Sequence, residues 1–209
     1  MLARGQGVDQ DETRAVAWYR RAARQGHCSA QYNLGGMLAN GRGVARDARE
    51  AVEWYGKAAG QGAPNAQFNL GVMYANGQGV PRDPARAVRW YRTAAEQGDA
   101  SAQNNLGVMY ASGHGVPQDD DLAVYWYARA AEQGHALAQY NLGGMYNSGR
   151  GVPKDPVRSF MWVALAAEGG DATAGGAVAG YASKLSHEDM GKARALTQQW
   201  KQARAAARD

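Results

Sequence analysis

Four histidines, a single cysteine, a run of three aspartates and a recurrent glycine pair are the residues of this chain that could carry chemistry. His27, His114, His135 and His187 do not have the spacing of metal ligands. His187-Glu188 lacks the second histidine of a zinc-protease helix. The Gly-x-Gly-Val runs lack the third glycine and the preceding strand of a dinucleotide loop. None of the serines has a lysine three residues on, and there is no Gly-x-Ser-x-Gly elbow, so the common acyl-serine arrangements are missing. Asp119-Asp120-Asp121 fits a helix start, where negative charge meets the positive end of the helix dipole. A Ca²⁺ loop needs ligands spread over more positions. Cys28 alone forms no internal disulfide and reads as a small packing residue. These residues predict no catalytic site, no metal and no cofactor.

The elements that position them repeat. Leu-Gly occurs at Leu34-Gly35, Leu70-Gly71, Leu106-Gly107 and Leu142-Gly143, a step of 36 residues. Gly-x-Gly-Val follows the same step from Gly5 through Gly41, Gly77 and Gly113 to Gly149. Trp-Tyr recurs at Trp18, Trp54, Trp90 and Trp126, and becomes Trp-Val at Trp162. A fixed period in this range marks a solenoid, whose core forms between stacked neighbours. Each unit reads as two helices. Helix A covers roughly 66–75 in one copy, with Ala66, Leu70 and Tyr74 on one face. Gly71 inside it predicts a neighbour too close for a Cβ, and Gly77 predicts a left-handed C-terminal cap. Helix B starts at the N-cap Asp83 with Pro84 next, an arrangement repeated by Asp155-Pro156. Asp47 and Glu50 have capping-box spacing. Ala87, Tyr91 and Ala94-Ala95 form the helix B stripe, with Trp90 at its margin, and Gly98 ends it.

The period fades after Ser183. Ser186 and Asp189 open a different helix. Met190, Ala193, Leu196, Trp200 and Ala203 mark one face, and Lys192, Arg194, Lys201 and Arg204 the other. This predicts a repeat array over 1–183, with about five repeats and the first incomplete, and a C-terminal capping helix over 184–209. A basic amphipathic helix could alternatively meet a membrane surface. The net charge of +4 in 209 residues is mild. No apolar run is long enough to span a membrane, and the first ten residues lack the pattern of a signal peptide. The chain as written therefore reads as soluble and cytoplasmic. Met1-Leu2-Ala3 aligns with Met37-Leu38-Ala39 in mid-repeat, so a truncated start, with a periplasmic or secreted protein, is the other expectation.

The pattern from Ala66 through Leu70-Gly71, Tyr74, Gly77-x-Gly79-Val80, Asp83, Ala87, Trp90-Tyr91 and Ala94-Ala95 to Gly98 resembles the Sel-1-like repeat, a relative of the tetratricopeptide repeat. The resemblance runs from Gly5 to about Gly170, and the closing segment is similar to the tail of many bacterial members. It implies an all-α, right-handed superhelix of antiparallel helix pairs, with helix A on the concave side. It also implies a non-enzymatic adaptor or scaffold that binds proteins or peptides. Some members are described as acting on β-lactams, and the serine pattern above argues against that here.

On helix A, the side away from the Ala66/Leu70/Tyr74 stripe is the expected partner surface. Its residues are Tyr32, Asn40, Phe68, Val72, Asn76, Asn104, Val108, Tyr140 and Asn147, with small neighbours such as Gly36, Gly144 and Ser148. No charged residue falls in this set, which argues against recognition of a terminal carboxylate or phosphate and for amide and ring contacts. Tyr32, Phe68 and Tyr140 could equally pack on the adjacent repeat. Asn33, Asn69, Asn105 and Asn141 could bind a ligand backbone or satisfy carbonyls between repeats. The arginines fall mostly on helix B, away from the aromatics, which argues against nucleic acid. Trp18, Tyr19 and Ala22 would lack a helix A cover, so self-association, as a homodimer through the N-terminal edge, is the alternative role.

Overall fold

A computed structural model describes residues 11–206. Among them are eleven helices: α1 (Glu12–Arg24), α2 (Cys28–Asn40), α3 (Ala48–Gly60), α4 (Pro64–Asn76), α5 (Pro84–Glu96), α6 (Ala100–Ser112), α7 (Asp120–Glu132), α8 (Ala136–Ser148), α9 (Pro156–Glu168), α10 (Ala172–Ala182) and α11 (His187–Ala206). No strand occurs among the described residues. The first Gly-x-Gly-Val run, at Gly5, lies outside them, as do the last three positions of the expected capping segment. The chain divides into two compact units, residues 1–99 and 100–209.

Local chemistry sets the helix ends. Asp11, Asp47, Asp83, Asp119 and Asp155 are extended N-caps, and each carboxylate accepts a backbone N–H three residues on. That satisfies one of the donors a helix start leaves open. Pro84 and Pro156 occupy the first helical position, where no N–H is needed. Gly41, Gly77 and Gly149 close the A helices in the left-handed region, at φ of 69°, 69° and 74°. The capping box at Asp47 is made from one side: Asp47 accepts from the Glu50 N–H at 2.9 Å. The Glu50 carboxylate instead accepts from Arg20 on α1 and from the Trp54 indole N–H at 3.0 Å. The Arg20 hydrogen bond holds the Glu50 carboxyl below its ordinary range.

In the first unit, each helix A packs on the helix B that follows it. Ala66, Leu70 and Met73 are buried on α4, and Ala87, Val88, Tyr91, Ala94 and Ala95 on α5. Tyr74, expected to share the Ala66/Leu70 face, is only half-buried. Met73 takes its place, because a 100° step per residue puts i+3 as near the buried axis as i+4. Gly71 is held by packing: an ideal Cβ there would lie 2.5 Å from the Tyr91 ring. The same clash arises between Gly35 and Tyr55 at 2.9 Å. The second glycine of the loop has a different neighbour. A Cβ on Gly79 would fall within 3.0 Å of the Ala48 carbonyl group, at the start of the previous helix B.

In the second unit, a Cβ on Gly107 would meet Tyr127 at 2.7 Å, and one on Gly143 would meet Val163 at 2.6 Å. The next residue in this series is Ala179, on α10. Ala179 is exposed, and the helix that follows α10 does not keep the repeat's register. The helix that follows, α11, packs against α9. Ser186 caps it, accepting from the Asp189 N–H at 3.0 Å. Trp200 meets Trp162 edge to face, with centroids 6.0 Å apart. Ala193 and Thr197 are its buried residues, Met190, Leu196 and Trp200 are half-buried, and Ala203 is exposed rather than on the covered face. Lys201 and Arg204 also depart from the expected outer face. Lys201 pairs with Glu168 at 2.5 Å, and Arg204 donates to the Gln133 carbonyl at the end of α7. Their long stems let the charges reach back over the apolar seam.

Candidate functional site

The expected surface residues occupy different environments along the A helices. In the first unit, Tyr32 and Phe68 are half-buried, and each ring tilts against the tyrosine of the following helix B. Tyr32 lies 5.8 Å from Tyr55, and Phe68 lies 6.0 Å from Tyr91. They therefore pack on the fold and still offer part of each ring to solvent. Asn40 and Asn76 are exposed and Val72 is half-buried. The Asn40 amide donates back to the Gly36 carbonyl at 2.8 Å. Burial pushes the Tyr55 phenol up to about 12, the Tyr32 hydroxyl adds to this, and a hydrogen bond from Asn69 opposes it. Asn69 thus has a structural partner, as the recurrent asparagines allowed.

In the second unit, Val108 is 40% exposed, and Leu137 on α8 is 43% exposed. Asn104 is only 2% exposed. It accepts from the Asn141 amide at 3.0 Å and donates to Asn105 at 3.3 Å. It therefore supports the face from beneath instead of lining it. Tyr140 is half-buried against Val163, Ala166 and Ala174. Asn147 accepts from Lys184 at 3.0 Å.

A cavity of about 300 Å³ opens in this unit, lined by Tyr127, Tyr140, Asn141, Gly144, Ser148, Arg150 and Tyr181, among others. It corrects one expectation. The A helices contribute no charge, but Arg150 enters from the loop after α8, and Lys184, after α10, lies next to the lining residue Tyr181. Arg150 donates to both Asp120 oxygens, at 2.9 and 2.6 Å, and to the Ala111 carbonyl at 2.9 Å. These bonds raise the Arg150 pKa and lower that of Asp120. Arg42 and Glu12 make the equivalent pair in the first unit. The signal was present in the sequence: Glu12 and Asp120 occupy one repeat position and Arg42 and Arg150 another.

A second feature missed in the sequence joins successive repeats. Gln31, Gln67, Gln103 and Gln139 are buried on the A helices. Gln31 and Gln67 donate to the Ala23 and Ala59 carbonyls, at 3.2 and 3.3 Å. Each then accepts, at 2.7 Å, from the glutamine that ends the next helix B, Gln61 or Gln97. Gln103 accepts from Gln133 in the same way in the second unit. Both glutamine series keep the 36-residue step. On α1, Trp18 is 60% exposed, whereas Tyr19 and Ala22 are half-buried against the core. Only one of the three expected edge residues is open.

Consecutive helix pairs on a 36-residue period, keyed by glycines and joined by a carboxamide ladder, define an α-solenoid of short helical repeats. The chain belongs to the Sel1 repeat family, whose model matches residues 1–27, 28–62, 64–99, 100–135 and 136–171. Among solved structures, a Sel1 repeat protein from Oxalobacter formigenes is 37% identical, with a TM-score of 0.81 over 86% of this chain and 71% of that one. A protective antigen of uropathogenic Escherichia coli with the same type of repeat fold is also 37% identical. Its TM-score is 0.83 over 99% of this chain and 44% of the antigen, so the chain spans less than half of that protein. The immunity protein PA5088 from Pseudomonas aeruginosa shares the fold at 22% identity and a TM-score of 0.56, over 89% of this chain and 72% of that one. None of the curated protein sequences matches the chain. Sel1 repeat proteins generally serve as protein-interaction scaffolds. No helix among the described residues is long and apolar enough to cross a membrane.

Proposed function

We propose that this chain is a non-enzymatic scaffold that binds a protein or peptide partner on its helix A face, the concave side in repeats of this class. The observation that carries the reading is a half-exposed ring at one repeat position, Tyr32 and Phe68 in the first unit and Tyr140 in the second. Their inner edges rest on the following helix B, so little rotamer entropy remains to be lost on binding. On the helices that carry Tyr32 and Phe68, Asn40 and Asn76 expose their amides, and in the second unit Val108 is exposed. A surface of fixed rings and flanking carboxamides suits an extended peptide or a docked helix.

The test is affinity capture with the parent chain beside a Tyr32→Ala, Phe68→Ala, Tyr140→Ala triple variant whose helicity is checked by circular dichroism. The parent is expected to hold its partner, and the folded variant to bind it at least about tenfold more weakly. Equal retention by both sinks the helix A assignment.

A second reading rests on Trp18. Its counterparts Trp54, Trp126 and Trp162 are buried and Trp90 is half-buried, so an open indole on α1 is an apolar contact looking for a partner. Self-association through this edge predicts a mass that rises with concentration, and Trp18→Ala should abolish the rise. A monomer mass at all concentrations removes this reading.

A further inference from the structure

We infer that the cavity in the second unit is a carboxylate-binding subsite of the helix A face, taking an acidic side chain or the terminal carboxylate of an extended peptide. This rests on the reading that the face binds a peptide. The placement of Arg150 carries it. Nε and Nη2 are spent on Asp120 and the Ala111 carbonyl, which fix the plane of the guanidinium. Nη1 makes no hydrogen bond to the described residues. A guanidinium carries five N–H donors, so this group leaves the two on Nη1 for a ligand, in a fixed direction. An arginine already held in place loses little freedom when an anion arrives.

The surroundings add to this. Lys184 lies beside Tyr181, a residue of the cavity wall: its ammonium is bonded to Asn147 and 5.2 Å from the centroid of the Tyr181 ring. Among the described residues, no carboxylate pairs with it. Tyr127 and Tyr181 line the walls. Burial pushes the Tyr127 phenol up to about 12 and raises Tyr181 as well, so both keep their protons at neutral pH and can donate to an anion. Asn141 and Ser148 supply further polar atoms. The charges are Arg150 and Lys184 against Asp120, a balance of one positive charge. That suits a monoanion, whereas a dianionic phosphate would be left uncompensated beside Asp120.

The test uses the full chain immobilised against four random decapeptide libraries. They have free or amidated C-termini, each made with and without Asp and Glu. Peptides are expected only from the three libraries that carry a carboxylate. Retention from the free-terminus, acid-free library assigns the terminal carboxylate, and retention from the amidated acidic library assigns a side chain. Arg150→Gln and Lys184→Gln should each weaken a selected peptide by at least about tenfold, the loss expected for one charged hydrogen bond. Lys184 is exposed, so its variant keeps the test valid if loss of the Arg150–Asp120 pair disturbs folding. Peptides from the carboxylate-free library that bind both variants as well as the parent overturn the inference. If those peptides are lost in the Tyr32/Phe68/Tyr140 triple variant, the helix A reading survives. If the triple variant also retains them, or if no library yields a peptide, both fall.

Discussion

Gly79→Ala is expected to lower stability by about 3–4 kcal/mol, read as a large fall in the urea midpoint. Two costs combine at this position. Gly79 has a φ of 72°, a conformation that opposes any side chain. A Cβ there would also come within 3.0 Å of the Ala48 carbonyl group and 2.8 Å from the Arg49 nitrogen. Those are backbone atoms at the start of α3, held by the Asp47 cap, and they cannot rotate away. Gly77→Ala is the matched control. Its φ of 69° carries the same conformational cost, but the nearest atom to a new Cβ is the Arg82 Cβ at 3.2 Å. A loss of about 1 kcal/mol is expected there. Equal losses at the two sites would show that inter-repeat backbone contact is not what keeps Gly79 a glycine.

Gln67→Ala is expected to cost about 2–3 kcal/mol. Gln67 is 3% exposed, donates to the Ala59 carbonyl and accepts from Gln97. Truncation removes both hydrogen bonds and leaves a void between two repeats. The partner change Gln97→Ala removes one of the same bonds from an exposed side chain, and should cost less than about 1 kcal/mol. Thermal and urea midpoints for the pair separate the two cases. Similar small losses would mean that the carboxamide ladder adds little to the joint between repeats.

The helix-pair repeat, its period and most helix ends were legible in the sequence. The reason is that these depend on neighbours within about one helical turn. Asp83 caps the helix that begins at the next residue, Gly77 ends the helix just before it, and Ala66 and Leu70 share a face by geometry alone. Even the tight approach behind Gly71 was legible, because only packing explains a repeated glycine inside a helix. Which side chains the A helices expose depends on the stacked repeats. Asn104 occupies the same repeat position as Tyr32, Phe68 and Tyr140, yet it is buried and hydrogen-bonded by the amide of Asn141, 37 residues on. The uncharged face read from the A helices gains Arg150, which is held in place by Asp120 from 30 residues earlier. Lys184 reaches the same region from beyond α10, across 37 residues, to meet Asn147. Periodicity assigns a side chain to a face of its own helix. Which long side chain arrives from elsewhere to cover or charge that face depends on contacts between residues remote in the chain, and these form only when the repeats stack.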